Sequence, residues 1–386
     1  MNRSAFWLAG VLATLATSGA SGEEARPGRT LVLHRGWEPG TASAMAGTEH
    51  RDGRLAFAFP SAAPTTRALA VLVGTRPRGP VVDAEGRIFV GTTSGLAIVS
   101  ADGSSAREVS LGALDCSPVL VPGGDVVGLS REGMLARVAP DGYVRRRAST
   151  SLPIRFSPLV LEDGSLAVVA ASRTLAHVGS DLDVRAQLEL SDGLALSPTR
   201  TAHDHWVIAA GTELVWVDPC TLEIEVAIAL PGRAATPAAV APDGTLWMAT
   251  VEGELVRVID ALRIDRVVAL GARLPEATTS DRAMLAVAPD GDVLVSVPTR
   301  GLVRFAPDGS ERWTWASETP LVSAVSVDAN GRAAAIDRVG HLSVVDVDGT
   351  LLWTLALETL PLGPAIVTGQ GRIVVATERG VVVLGP

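Results

Sequence analysis

The chain has 386 residues, 47% of them apolar but only 4% aromatic, with a formal net charge of −9. All 33 basic residues are arginine, so lysine-dependent Schiff-base chemistry and a phosphate-binding loop ending in Gly-Lys are both excluded. An acidic chain without a basic footprint is not expected to bind nucleic acid.

The first predicted element is an export signal over residues 1–22. Arg3 supplies the charge, "AFWLAGVLATLA" the short apolar run, and "TSGASG" the small residues for cleavage. No cysteine follows the run, so no lipid anchor is expected, and the location implied is periplasmic or extracellular. No later stretch reaches the ~18 consecutive apolar residues of a membrane helix. Residues 23–51 read as a linker.

From residue 52 the chain repeats. Each unit runs Pro or Ala, a few apolar residues, a Gly-rich or Asp-Gly turn, and another apolar stretch. The units start near Pro80, Pro118, Pro158, Pro198, Pro237, Ala286, Ala324 and Pro364, at spacings of 38, 40, 40, 39, 49, 38 and 40. A period near 40 residues indicates blades or a solenoid. Each unit holds four strand-length apolar stretches separated by tight turns, as in "PAAVA", "TLWMAT", "ELVRVI" and "RIDRVVAL". Eight such units predict an all-β, eight-bladed propeller of four-stranded antiparallel blades. The long fifth spacing places an insertion at "GARLPEATTSDRA", 271–283, between blades on the face beside the funnel mouth.

The last unit has only three strands. A propeller closes its ring, since an open sheet edge invites aggregation. An N-terminal strand is therefore expected to join the C-terminal blade. The phrase "DGRLAFAF", Asp52–Phe59, is the candidate, because Phe57 stands five residues after its Asp as Trp313 and Trp353 do after theirs. These residues resemble the PQQ-like repeat of eight-bladed propellers, the superfamily of the quinoprotein alcohol dehydrogenases and of the outer-membrane assembly factor BamB. The resemblance spans 52–386. The superfamily's docking tryptophan is matched at Trp313 and Trp353 and, as Phe, at Phe57. The positions counted as equivalent in other units, such as Arg107, Arg146 and Glu223, are polar, so aliphatic packing is expected to join those blades. NHL-like and SMP30-like propellers, also rich in "PDG" turns, are the alternative resemblance at the level of blade type.

A quinoprotein active site, by the same resemblance, would need adjacent cysteines and a calcium site with Asn. Cys116 and Cys220 fall in different units, and Asn occurs only at Asn2 and Asn330, so no cofactor is expected. His203-Asp204-His205 is the one local metal-like cluster, but it replaces a Pro-Asp-Gly turn and lacks a third ligand, so no metal is expected. No Gly-x-Ser-x-Gly elbow appears.

The hairpins between second and third strands carry arginine in five of eight units: Arg131, Arg173, Arg300, Arg338 and Arg379. Pseudo-symmetry would put all five on one face. The reading is an exported, monomeric, non-catalytic binding or scaffold protein whose arginine-bearing face engages a protein or an anionic envelope ligand. The alternative is a propeller lyase or hydrolase with its site in the central funnel.

Overall fold

The computed structural model describes residues 54–385 except 115, 172, 192–193, 202, 261–262 and 277–283. The predicted signal peptide and linker lie outside the described residues. The repeats lie in the described part of the unit His34–Pro386. Among the described residues it forms eight four-stranded antiparallel sheets and no helix. Blades one to seven span 81–110, 119–149, 159–189, 199–229, 239–269, 285–315 and 326–356, and blade eight combines 361–385 with 66–71. The fold is the predicted eight-bladed propeller.

In blades one to seven each strand pairs with the next, so a blade is a meander. First strands are short and buried, such as Val81–Val82, Val119–Leu120 and Ala239–Val240. First strands of successive blades touch, for example Thr199–Arg200 with Ala239–Val240, which places them toward the axis. Fourth strands are largely exposed or half-buried, and in Ile224–Ala229 the two alternate from Glu225 on, because only one face of this outer strand meets a neighbouring blade. Second and third strands are buried on both faces and read as continuous apolar runs, such as "VLVSV" at Val293–Val297.

The turn chemistry explains the hairpins. The Gly of the first turn adopts φ between +73° and +87° at Gly86, Gly124, Gly164, Gly244, Gly291, Gly331 and Gly371. Blade four has Asp204 there, at φ +65°. The aspartates beside these glycines bond the backbone two residues on, as Asp243 Oδ1 does with Thr245 N at 3.0 Å.

Ring closure uses an N-terminal strand, but not Asp52–Phe59. The fourth strand of blade eight is Thr66–Val71, antiparallel to Gly380–Gly385 from Thr66↔Gly385 to Val71↔Gly380. The earlier segment serves blade seven instead. Arg54 bridges Val327 in parallel, and Leu55 N donates to Val327 O at 2.7 Å. Phe59 is buried, its N–H bonded to Asp328 Oδ2 at 2.7 Å, and Trp353 Nε1 donates to Pro60 O at 2.8 Å. The segment thus crosses the end of blade seven before the chain enters blade eight.

Docking between blades also departs from the sequence reading. The residue beside the fourth position of each third strand faces the next blade: Arg107, Arg146, Ala186, Val226, Arg266, Trp313, Trp353 and Ala68. Glu223 and Phe57 do not hold this register; Val226 and Ala68 do. Trp313 Nε1 donates to Val347 O at 2.8 Å while its ring covers Gly349. Arginine takes the same role in three blades. Arg107 donates to Asp141 O over Gly142, Arg146 pairs with Asp183 at 3.0 Å, and Arg266 lies against Gly309. Apolar clusters spanning two blades, such as Cys116 to Leu182, supplement these contacts rather than acting alone.

A Cβ at Gly349 would stand 2.9 Å from the Trp313 ring, whereas one at Gly371 would meet nothing within 4 Å; both have positive φ, +89° and +73°. Gly349→Ala is therefore expected to cost about 1–3 kcal/mol more than Gly371→Ala, through overpacking alone. Denaturant midpoints at unchanged slope measure this; equal losses in the two variants would show that the ring contact contributes nothing.

Candidate functional site

The two ends of the propeller differ in construction. One end carries the first-to-second and third-to-fourth turns. The other carries the second-to-third hairpins and the connectors between blades. Repeated backbone bonds knit this connector end together: Ala171 N to Pro153 O, Val251 N to Arg233 O, Arg338 N to Pro320 O and Glu378 N to Leu360 O, all between 2.7 and 3.0 Å. The hairpin tips of blades three, five, seven and eight are thus held by the preceding connector, so side chains on those tips project from a fixed frame.

All five predicted arginines occupy such hairpins at the connector end, in blades two, three, six, seven and eight, but at different places in the turn. Arg173 and Arg300 close it, their N–H groups donating to Ala170 O and Val297 O, where Gly133 and Gly340 stand in blades two and seven. Their environments differ. Arg131, Arg338 and Arg379 are exposed; Arg173 and Arg300 are half-buried. Arg173 stands at φ +69°. Arg300 is committed within its own blade, with Nη2 donating to Glu311 Oε2 at 2.5 Å and to Thr314 Oγ1 at 3.0 Å. That guanidinium holds the Glu311 carboxyl below its ordinary value. Arg338 and Arg379 have no carboxylate within ion-pair distance among the described residues. Arg233, on a connector, bonds Glu276 at 3.1 Å.

Sequence reasoning missed what lies beside these arginines. A cavity of about 570 Å³ opens between the connectors and hairpins of blades five to seven. Arg273 and Arg338 line it together with Leu274, Pro298, Pro320 and Val322. The insertion after blade five begins at this end, since Leu274 N donates to Val251 O at 3.1 Å; its residues 277–283 lie outside the described residues. Exposed apolar side chains continue the surface: Val339 on the blade-seven hairpin, Leu360 on the next connector, and Val71 and Val73 at the end of the closing strand. The signal was present in "DRVGH" and "ALAVLVG", but reading it needed the correct closing strand.

His203 and His205 lie at the opposite end, lining a cavity of about 300 Å³ with Trp216, Glu225 and Asp243. His205 Nε2 stands 2.9 Å from Glu225 Oε2. Desolvation opposes it, but bonds from Thr245 and the nearby Arg257 leave the Asp243 carboxyl below its ordinary value. Among the described residues no group of three or more His, Cys, Asp or Glu is arranged to hold a metal. Cys116 is buried and Cys220 exposed, and the two are not joined in a disulfide. Among the described residues no helix is long and apolar enough to cross a membrane.

No protein-family model matches the chain, and no curated protein matches it. Solved structures do. BamB from Moraxella catarrhalis shares 16% identity over 83% of this chain and 96% of its own, with a TM-score of 0.60. The computationally designed Ika8 protein matches at 11% identity, 83% and 100% coverage, and a TM-score of 0.68. A catalytically inactive virginiamycin B lyase from Staphylococcus aureus, solved with quinupristin, matches at 11% identity, 83% and 99% coverage, and a TM-score of 0.54. At these identities the likeness is one of fold.

Proposed function

We propose that this protein is an exported, non-catalytic binding scaffold, working in the cell envelope or outside the cell, whose connector end engages an anionic partner. What supports the reading is the composition of that end: exposed Arg131, Arg338 and Arg379 stand on hairpins tied to rigid connectors, beside exposed Val71, Val73, Val339 and Leu360. Guanidinium forks favour carboxylates and phosphates over neutral acceptors. Exposed apolar side chains rimmed by polar ones are the usual composition of protein-binding surfaces. Exposed Glu132, Glu318, Glu358 and Glu378 share this end, so recognition would rest on the geometry of the guanidinium forks rather than on the net sign of the surface. Arg173 and Arg300 act as frame for this surface, Arg300 through Glu311. BamB and the virginiamycin B lyase both share this fold, so the fold alone does not choose between a scaffold and an enzyme.

The test is charge reversal at two tips together, Arg338→Glu with Arg379→Glu, with binding to immobilised polyglutamate measured at about 0.1 M and about 1 M salt. The Debye length falls from ~10 Å to ~3 Å between those conditions. The parent should bind at the lower salt and release at the higher, and the variant should lose roughly tenfold in affinity, equivalent to about 1.4 kcal/mol. Binding that is unchanged by the substitutions would remove this face as the working surface.

A further inference from the structure

We infer that the cavity between blades five and seven is an anchor pocket for a partner protein's extended acidic segment, seating one large apolar side chain while its flanking carboxylates meet Arg273, Arg338 and Arg379. The inference rests on the anionic reading above and adds the occupant's chemistry. At about 570 Å³ the cavity falls within the ~300–1,000 Å³ range of pockets that bury a ligand. Its wall of Leu274, Met284, Pro298, Pro320 and Val322 offers an apolar group few polar competitors. The prolines carry no N–H and the backbone nearby is already paired, Val322 N bonding Ile336 O at 3.0 Å. An apolar guest therefore strands no donor there.

The charges sit at the rim. Arg338 shares the pocket wall with Arg273, which is 69% exposed and only grazes Glu252 at 4.0 Å. From Arg338 the surface runs over Val339 (52% exposed) and Leu360 (43%) to Arg379, Val71 (68%) and Val73 (88%). All belong to the connector end of blades five to eight, so pocket, arginines and apolar strip lie along one arc. Buried apolar anchors with a polar rim are how binding energy is commonly concentrated. A small aromatic acid would use the pocket but leave the strip idle. A second copy of this acidic chain is the remaining candidate, and the experiment distinguishes it.

The experiment pans a random linear peptide library against the full chain, then titrates one enriched peptide, made synthetically, against variants. Enriched sequences should place Trp, Phe or Leu within a few residues of Asp or Glu. Val322→Trp, which fills the pocket, should weaken the peptide by roughly tenfold or more, and so should Arg273→Glu with Arg338→Glu. If Val322→Trp unfolds the protein, Val322→Glu serves, by putting a like charge beside the peptide's carboxylates. Loss with the arginine variant but not with either Val322 variant would overturn the pocket and leave the anionic face standing. Loss with neither would overturn both. No enrichment, or sedimentation showing self-association that Arg338→Glu abolishes, would overturn the acidic peptide as occupant.

Discussion

A chain lacking residues 54–73 is expected to aggregate, or to melt more than about 10 °C below the parent, whereas one trimmed only to residue 53 should keep the parent's transition. The longer deletion removes Thr66–Val71, the outer strand of blade eight, and leaves Gly380–Gly385 as an unpaired edge of "GVVVLG". An apolar, exposed edge of this kind is a template for pairing with other chains. It also removes Leu55 and Phe59 from the cluster shared by blades seven, eight and one. Deleting a buried Phe or Leu side chain costs about 2–5 kcal/mol each. Thermal scanning with light scattering compares the two truncations. Coincident melting without aggregation would mean that the ring is stable open.

The second large effect is expected at a buried arginine. Arg304 is 2% exposed, and its guanidinium donates to Asp292 at 2.7 Å, Asp290 at 2.6 Å, Gly331 O at 3.2 Å and Val347 O at 3.3 Å. It therefore joins blade six to both turns of blade seven. Arg312 gives Asp292 a second guanidinium at 2.9 Å. Arg304→Met keeps the bulk but leaves the 3% exposed Asp292 with one partner instead of two. Breaking a buried pair in this way costs about 3–5 kcal/mol. Adding Asp292→Leu should return part of that loss, since an apolar pair of similar volume often replaces a buried ion pair at little cost. Blade two provides the comparison. Arg137 and Arg145 bracket Asp125 at 2.8 and 2.9 Å, but Arg137 is 22% exposed, so Arg137→Met should cost less. Equal losses at the two sites, or no recovery in the double variant, would refute this account of the triad.

Legibility in the sequence followed the range of the interactions. Blade number, strand order and turn positions were readable because each depends on residues within about 40 positions, and the turn glycines announce a backbone conformation directly. The closing strand was misidentified because a matching Asp-Gly is a local signal, and eight turns compete for it. Connector length was the better clue. Val71 stands ten positions before Val81, as Ser149 does before Leu159, Glu189 before Thr199 and Ala229 before Ala239. The docking register failed for a related reason. Counting from Asp218 as if it matched Asp308 led to Glu223. Asp218 instead holds the place of Ala306: Asp218 N bonds Glu223 O, as Ala306 N bonds Ser310 O, so the turn in blade four is one residue longer. Of the candidate site, the arginines could be found by position. The cavity could not, because its walls come from connectors and hairpins of neighbouring blades and no single unit contains it.

Closure by strands from the two ends of the repeat array bears on how the ring comes together in time. The pairing Thr66↔Gly385 joins residues more than 300 positions apart, while nearly every other ladder lies within one blade. In a flexible chain, closing so long a loop costs about 5 kcal/mol by the logarithmic length rule. Seven blades already stacked would curve into an arc whose ends meet, and the same pairing then becomes a local event. Local hairpins should thus form early and the seam last, giving a slow kinetic phase that belongs to the seam alone. During synthesis the N-terminal strand waits until Gly380–Gly385 has emerged, and over that interval the nascent propeller is an open coil of blades with two unsatisfied edges.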